Sequence, residues 1–530
     1  MTNQKHVKYD RQLRLWHAHG QEALENASIC ILSGCATATE TLKNLVLPGI
    51  GSFTVIDGQN VQQSDVDNNF FVSRDHIGQP RAKVVTEFLL ELNDQVRGIH
   101  CLEDPVALID SKNAEFFTQF SLIVTVNLNE KSLLRLSSFL EPENIPLVCT
   151  WTCGFIGYIR ISRAEHCVVE THPDSIVDLR LDCPFPSLRE YIDSWNLEAG
   201  SIDSMSLAHC PYVVILFKAL EQFKSKSGKP MPETREEKQE FKDCIRRLKT
   251  VELKDPENFE EALSAAYRAY APTRLSSETE QILSDEKCDK LDSQSSNFWI
   301  MARAVRDFIR GEGGGMPPVA GTLPDMKADT ESFVKLQTIY REKARQDVAH
   351  VRSRVSGLLS ALALPLDRVP DQQIEAFCKN VQFIRAIRFT LLQDEYKPSR
   401  GSFQRLAAQL DAMDGDAIWY VLIRAVDAFR RESFRYPGSL DSGQLENDIP
   451  VLKRHVASLL QEWGIPVEKV PDDYIHEMVR GGCGQMHNIA ALQGGIISQE
   501  IIKLVTGQYL PLNNTFIFNG IKSTSASFLL

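Results

Sequence analysis

Four short apolar runs recur within the first 160 residues: Ile29 to Leu32, Ser52 to Ile56, Leu122 to Val126 and Pro146 to Thr150. Each is too short for a helix, and uninterrupted runs of this length form strands buried on both faces, as in a parallel sheet. Amphipathic stretches separate them. Over residues 79–93, Ala82, Val85, Phe88, Leu89 and Leu92 share one helical face. Strand and helix in alternation predict a doubly wound α/β sheet.

After Asp174 the period changes to that of helices and keeps it to about residue 475. In residues 297–310, Phe298, Met301, Val305 and Phe308 or Ile309 line one face, while Arg303, Arg306, Asp307 and Arg310 point away. Residues 417–431 follow the same pattern. A charged loop (225–238) and a Gly-Pro stretch (311–326) divide this region. From Met486 the α/β character returns, with a helix containing Gly494-Gly495 and a strand-like run, Asn514 to Phe518. Paired glycines inside a helix cost about 1 kcal/mol each relative to alanine, which points to close packing there. The chain therefore divides into an α/β domain in two parts, 1–170 and 481–530, around a mostly helical insertion at 171–480.

Composition narrows the function. A chain of 530 residues exceeds what one core supports, so more than one domain is expected. A net charge of -12 argues against a nucleic-acid footprint. Its apolar runs are too short to span a membrane. The N-terminus has no apolar signal core, and twelve cysteines in a chain this long are not a disulfide framework. A reducing compartment, cytosol or nucleus, follows. No Cys-x-x-Cys pair occurs, so no structural zinc is implied, and no metal is expected in this chain.

The first strand leads into Ser33-Gly-Cys-Ala-Thr-Ala38 and then a helix. Nucleotide sites put a glycine-rich turn here, because glycine lets the backbone approach phosphate while the helix N-terminus supplies N-H donors. Only Gly34 remains, and every other turn residue carries a β-carbon that would crowd a phosphate.

Lys8 to Trp16, Leu42 to Asp57, Ile77-Gly78 and Gly494 to Lys503 resemble segments of the ubiquitin-activating-enzyme superfamily. Asn68-Asn-Phe-Phe71, Asp178 to Asp182, Pro184-Phe-Pro186, Leu323 to Met326 and Tyr340 to Ala344 resemble, more narrowly, the regulatory subunits of neddylation-activating enzymes. The resemblance runs from residue 8 to Phe528. It implies a Rossmann-like adenylation fold of the ThiF type with a degenerate nucleotide site, interrupted by the helical insertion.

Active members of that superfamily have glycines throughout the turn, a second acid after the second strand, an arginine facing phosphate and an aspartate on magnesium. Here Gly34 falls at a variable position, Asp57 keeps the first acid, Gln59 replaces the second, and Asn68 stands where the arginine would be. Arg81 keeps a positive charge where active members have lysine, and Asn129 replaces the metal-binding aspartate. No cofactor is expected in this chain.

The resemblance further implies that Arg11, on an N-terminal helix, acts in trans on ATP and magnesium held by a catalytic partner subunit. Arg11 and Arg14 beside Asp10 could instead form surface ion pairs. No cysteine of the insertion (Cys183, Cys210, Cys244, Cys288, Cys378) lies in the family's catalytic setting, although Cys210 follows His209. The chain ends soon after its last strand, so no ubiquitin-like domain that would recruit a conjugating enzyme is expected. The implied role is a non-catalytic subunit supporting ATP-dependent activation of the modifier NEDD8, reaching the conjugating enzyme only indirectly. A free-standing scaffold, a self-contained adenylating enzyme and an NAD-dependent oxidoreductase stay as alternatives.

Overall fold

The computed structural model describes residues 7–112, 114–173, 178–250, 256–397, 400–411, 415–439, 445–482 and 484–530. The chain forms two compact units, one of residues 1–166 with 386–530, the other of residues 167–385. The sequence reading placed the insertion at 171–480. The first division falls at 166/167 rather than 170/171, and the helices beyond residue 385 cluster with the sheet instead.

The first unit is built on an eight-stranded sheet. Its strands are β1 (Ser28–Leu32), β2 (Ser52–Ile56), β3 (Arg97–Cys101), β4 (Leu122–Val126), β5 (Leu147–Cys153), β6 (Ile156–Ser162), β7 (Thr515–Asn519) and β8 (Thr524–Phe528). The order is β8-β7-β6-β5-β4-β1-β2-β3. Strands β1 to β5 pair in parallel, and β6, β7 and β8 add antiparallel ladders. The four apolar runs are β1, β2, β4 and β5 within a few residues. Strand β3 escapes the pattern because its side chains are largely exposed.

Around the sheet lie α1 (Asp10–Asn26), α2 (Ala36–Val46), α3 (Arg81–Leu90), α4 (Glu130–Leu140), α5 (Ala417–Ser433) and α6 (His487–Thr506). Helix α6 packs on α2, and a β-carbon on Gly494 would meet the Glu40 backbone carbon and the Thr41 nitrogen at 2.8 Å. Gly495 faces open space. Only the first of the two glycines serves close packing. Gly494→Ala is expected to destabilise the protein by about 1–3 kcal/mol through overpacking, and Gly495→Ala to stabilise it by about 0.5–1 kcal/mol. Thermal unfolding of the pair checks this, and equal shifts would contradict it.

Behind β6 the core holds charges. Arg160 is fully buried and donates from Nε to Glu395 Oε2 at 2.6 Å and from Nη2 to the Thr390 carbonyl at 2.7 Å. Tyr420 donates to the other Glu395 oxygen at 2.8 Å, and Arg424 donates to the Tyr420 hydroxyl while stacking 3.5 Å from the Tyr396 ring centroid. Burial opposes the Arg160 charge, and Glu395 more than restores it.

The second unit is helical. A 32-residue helix, Thr330–Ala361, buries Leu336, Tyr340, Val351 and Val355, and the Tyr340 hydroxyl donates to the Leu179 carbonyl at 2.6 Å. Helices Tyr212–Ser227 and Arg235–Arg247 meet through Phe223 and Phe241. The helix expected at 297–310 is present, but Arg306 does not point away. It is buried, and its Nη2 donates to Asp289 at 2.6 Å. The aliphatic part of a long side chain fills apolar space once its cation is paired.

Candidate functional site

The turn after β1 opens onto a cavity of about 560 Å³ within the sheet unit. Gly34, Asp57, Asn68 and Arg81 all gather around it. Ser33 sits at φ 137, a conformation natural to glycine and costly for a residue with a β-carbon. The turn thus has a backbone shape suited to glycine with serine in that position.

Hydrogen bonds hold that shape from within. The Gly34 N-H donates to Asp57 Oδ2 at 2.6 Å, and the Gln59 N-H to Asp57 Oδ1 at 2.9 Å. Asn69 donates to the Gly34 carbonyl at 3.1 Å and accepts from Thr39 at 3.0 Å.

Arg81, at the start of α3, is the decisive residue. Its Nε donates to Asp57 Oδ2 at 2.8 Å, its Nη1 to Asp65 Oδ1 at 2.8 Å, and its Nη2 to Gln59 Oε1 at 3.0 Å. Burial disfavours the guanidinium charge, but Asp57 and then Asp65 outweigh it and raise the pKa above the ordinary value. The positive charge legible in the sequence is thus spent inside the protein, and so is Asp57, the one retained acid. A phosphate approaching Arg81 would have to displace two carboxylates.

The remaining positions are similarly occupied. Asn129 caps α4, accepting the Ser132 N-H at 3.0 Å. An asparagine used this way stabilises a helix start and brings no charge to a metal. At the N-terminus of α2, where a phosphate would lie, the Thr37 N-H points at Gln485 Oε1, 3.4 Å away. From α5, Arg430 reaches the cavity wall and donates to the Asn127 carbonyl at 3.2 Å, 4.2 Å from the Tyr436 ring centroid. Among the described residues no group of His, Cys, Asp or Glu side chains could hold a metal ion. Taken together, these residues do not fit ATP and magnesium.

Asp65, Gln485 and Arg430 were not identified from sequence. Asp65 had a signal, being an acid in the Ser64–Asn69 segment that meets Arg81. Gln485 and Arg430 had none, because they arrive from parts of the chain several hundred residues away.

Arg11 lies elsewhere, on the first turns of α1. Tyr9 and Trp16 bury the inner face: Asn93 donates to the Tyr9 hydroxyl at 3.1 Å, and the Trp16 indole donates to Gln21 at 3.1 Å. Arg14 pairs with Asp10 at 2.8 Å. Arg11 is exposed and makes no ion pair or hydrogen bond among the described residues. The two arginines that could both have been surface ion pairs therefore differ.

Four of the thiols in residues 171–480 are held protonated. Cys210 is fully buried, which pushes its pKa far above the thiol range, and its sulfur lies 3.8 Å from the Pro211 carbonyl. Burial raises Cys288 to about 11 and Cys378 to about 12. Burial and then the neighbouring Asp182 raise Cys183. Thiols held protonated in this way are poor nucleophiles.

The ThiF family model matches residues 9–529. A NEDD8-activating enzyme E1 regulatory subunit of Danio rerio is 44% identical over 99% of both chains. The proteins of that description from Xenopus laevis and Drosophila melanogaster are 44% and 37% identical, covering 99% of this chain and 99% and 98% of theirs. The chain belongs to the ThiF family and, within it, to the regulatory subunits of NEDD8-activating enzymes.

Proposed function

We propose that this chain is the non-catalytic half of a heterodimer. It docks on a catalytic subunit that holds ATP and magnesium, donates Arg11 to that ATP, and helps hold NEDD8 with its helical unit. The partner forms the acyl-adenylate and thioester, and the conjugating enzyme is engaged through the partner. The observation that carries this reading is the Asp57–Arg81–Asp65 triad, which satisfies internally the charges a nucleotide would need. Support for the in-trans role comes from Arg11, which is exposed and unpaired among the described residues on a helix anchored by Tyr9 and Trp16. Residence in cytosol and nucleus belongs to the same proposal. It is supported by the free state of the described cysteines, as in a reducing compartment, and no described helix is long and apolar enough to cross a membrane.

ATP-pyrophosphate exchange tests the proposal. The purified chain is expected to show none, with exchange appearing on addition of the catalytic subunit and NEDD8. Exchange by the chain alone would overturn it.

A further inference from the structure

The helical unit carries a second cavity, of about 340 Å³, whose charge runs against that of the chain as a whole. The protein has 70 acidic and 58 basic side chains, yet Arg341, Arg345, Arg352 and Lys379 line this groove with a single carboxylate, Glu375. Arg352 is neutralised by Asp371 at 2.6 Å and approaches Glu375 at 3.6 Å. Arg341, Arg345 and Lys379 are exposed and have no ion pair or hydrogen bond among the described residues.

The groove is preformed. Asp347, almost fully buried in the Thr330–Ala361 helix, accepts the Val319 N-H at 3.0 Å and pairs with Lys343 at 2.7 Å. This ties the loop around Val319 to the helix. Gly321 continues it at φ +73, so close that a β-carbon would meet the Ala344 methyl at 2.7 Å. Val319, Ala320, Ala344 and Val348 give the lining an apolar part.

We infer that this groove binds an extended acidic segment of a partner protein, one that alternates carboxylates with apolar side chains. Residues 341, 344, 345, 348 and 352 recur at helical spacing, so the lining runs along about 16 Å of helix. That length matches about five residues of extended chain. Arg341 and Arg345, one turn and about 6 Å apart along the helix axis, suit successive carboxylates of such a segment. A nucleic-acid backbone would meet Glu375 and Asp371 at the edge and cover the apolar part with charge. Three unpaired cations at the surface favour rapid, salt-dependent capture rather than tight permanent binding.

The test uses the full chain in complex with its catalytic subunit and a fluorescein-labelled peptide of four Glu-Glu-Leu repeats, read by polarisation. Binding is expected, weakened about tenfold or more by Arg341→Glu with Arg345→Glu, and by raising salt from about 50 to about 300 mM. Both arginines are exposed, and an unchanged unfolding midpoint verifies that the variant is folded. Equal affinity for wild type and variant would overturn the inference, as would equal binding of a Lys-Lys-Leu peptide. An oligonucleotide that binds more tightly than the acidic peptide, and loses that binding in the variant, would overturn the peptide assignment.

Discussion

Replacing Arg11 with alanine is expected to slow ATP-pyrophosphate exchange by the assembled enzyme by about a thousandfold, the lower end of what an arginine supplied in trans contributes to phosphoryl chemistry. The basis is a contrast along one helix. Tyr9 and Trp16, seven residues apart, face inward, and Arg14 is engaged by Asp10. Arg11 alone among these presents a free guanidinium to solvent. A charge left in water contributes little to the stability of the subunit, so its removal should leave the unfolding midpoint unchanged. The planar fork can accept two phosphate oxygens at once, which lysine cannot do. Arg11→Lys should therefore recover only a small part of the rate, and Arg14→Ala should change it little. Full exchange by Arg11→Ala in a complex of normal stability would remove Arg11 from the chemistry.

The second large effect is on stability. Glu395→Ala is expected to destabilise the sheet unit by about 3–5 kcal/mol, because it strands the buried Arg160 cation and the Tyr420 hydroxyl without their acceptor. That is a substantial fraction of the 5–15 kcal/mol typical of a folded domain. Joint replacement, Arg160→Met with Glu395→Leu, should cost much less, since the penalty comes from an unpaired buried charge rather than from loss of attraction. Urea unfolding followed by tryptophan fluorescence separates the two outcomes. With two compact units, the transition assigned to the sheet unit is the one to compare. A shift below about 1 kcal/mol for the single variant would show that Arg160 finds another partner or water.

How far the sequence reached depended on whether information was local. Strands β1, β2, β4 and β5 were legible because burial on both faces leaves an uninterrupted apolar run. Strand β3, with exposed side chains, left no such trace. The helix at 297–310 was legible, but Arg306 was placed on the wrong face, since periodicity cannot foresee that Asp289 would accompany it inward. The division of the chain at residue 385 was hidden for a related reason: helices on either side of it have the same period, and only tertiary packing separates them. In the degenerate site, losses could be read position by position at Ser33, Gln59, Asn68 and Asn129. The active closure could not. Arg81 looked like a surviving piece of the machinery until Asp57 and Asp65 were seen on either side of it, 24 and 16 residues away in sequence.

That triad also bears on how the molecule moves. A loop that waits for a ligand can be floppy beforehand and stiffen on binding. Here the Gly34 amide, both oxygens of Asp57 and all arms of Arg81 are engaged by groups of the protein itself. The turn should open only when the surrounding sheet opens, so its amide hydrogens exchange with solvent at the pace of the sheet. A turn built this way is already stiff, and it has little ordering entropy left to lose on binding.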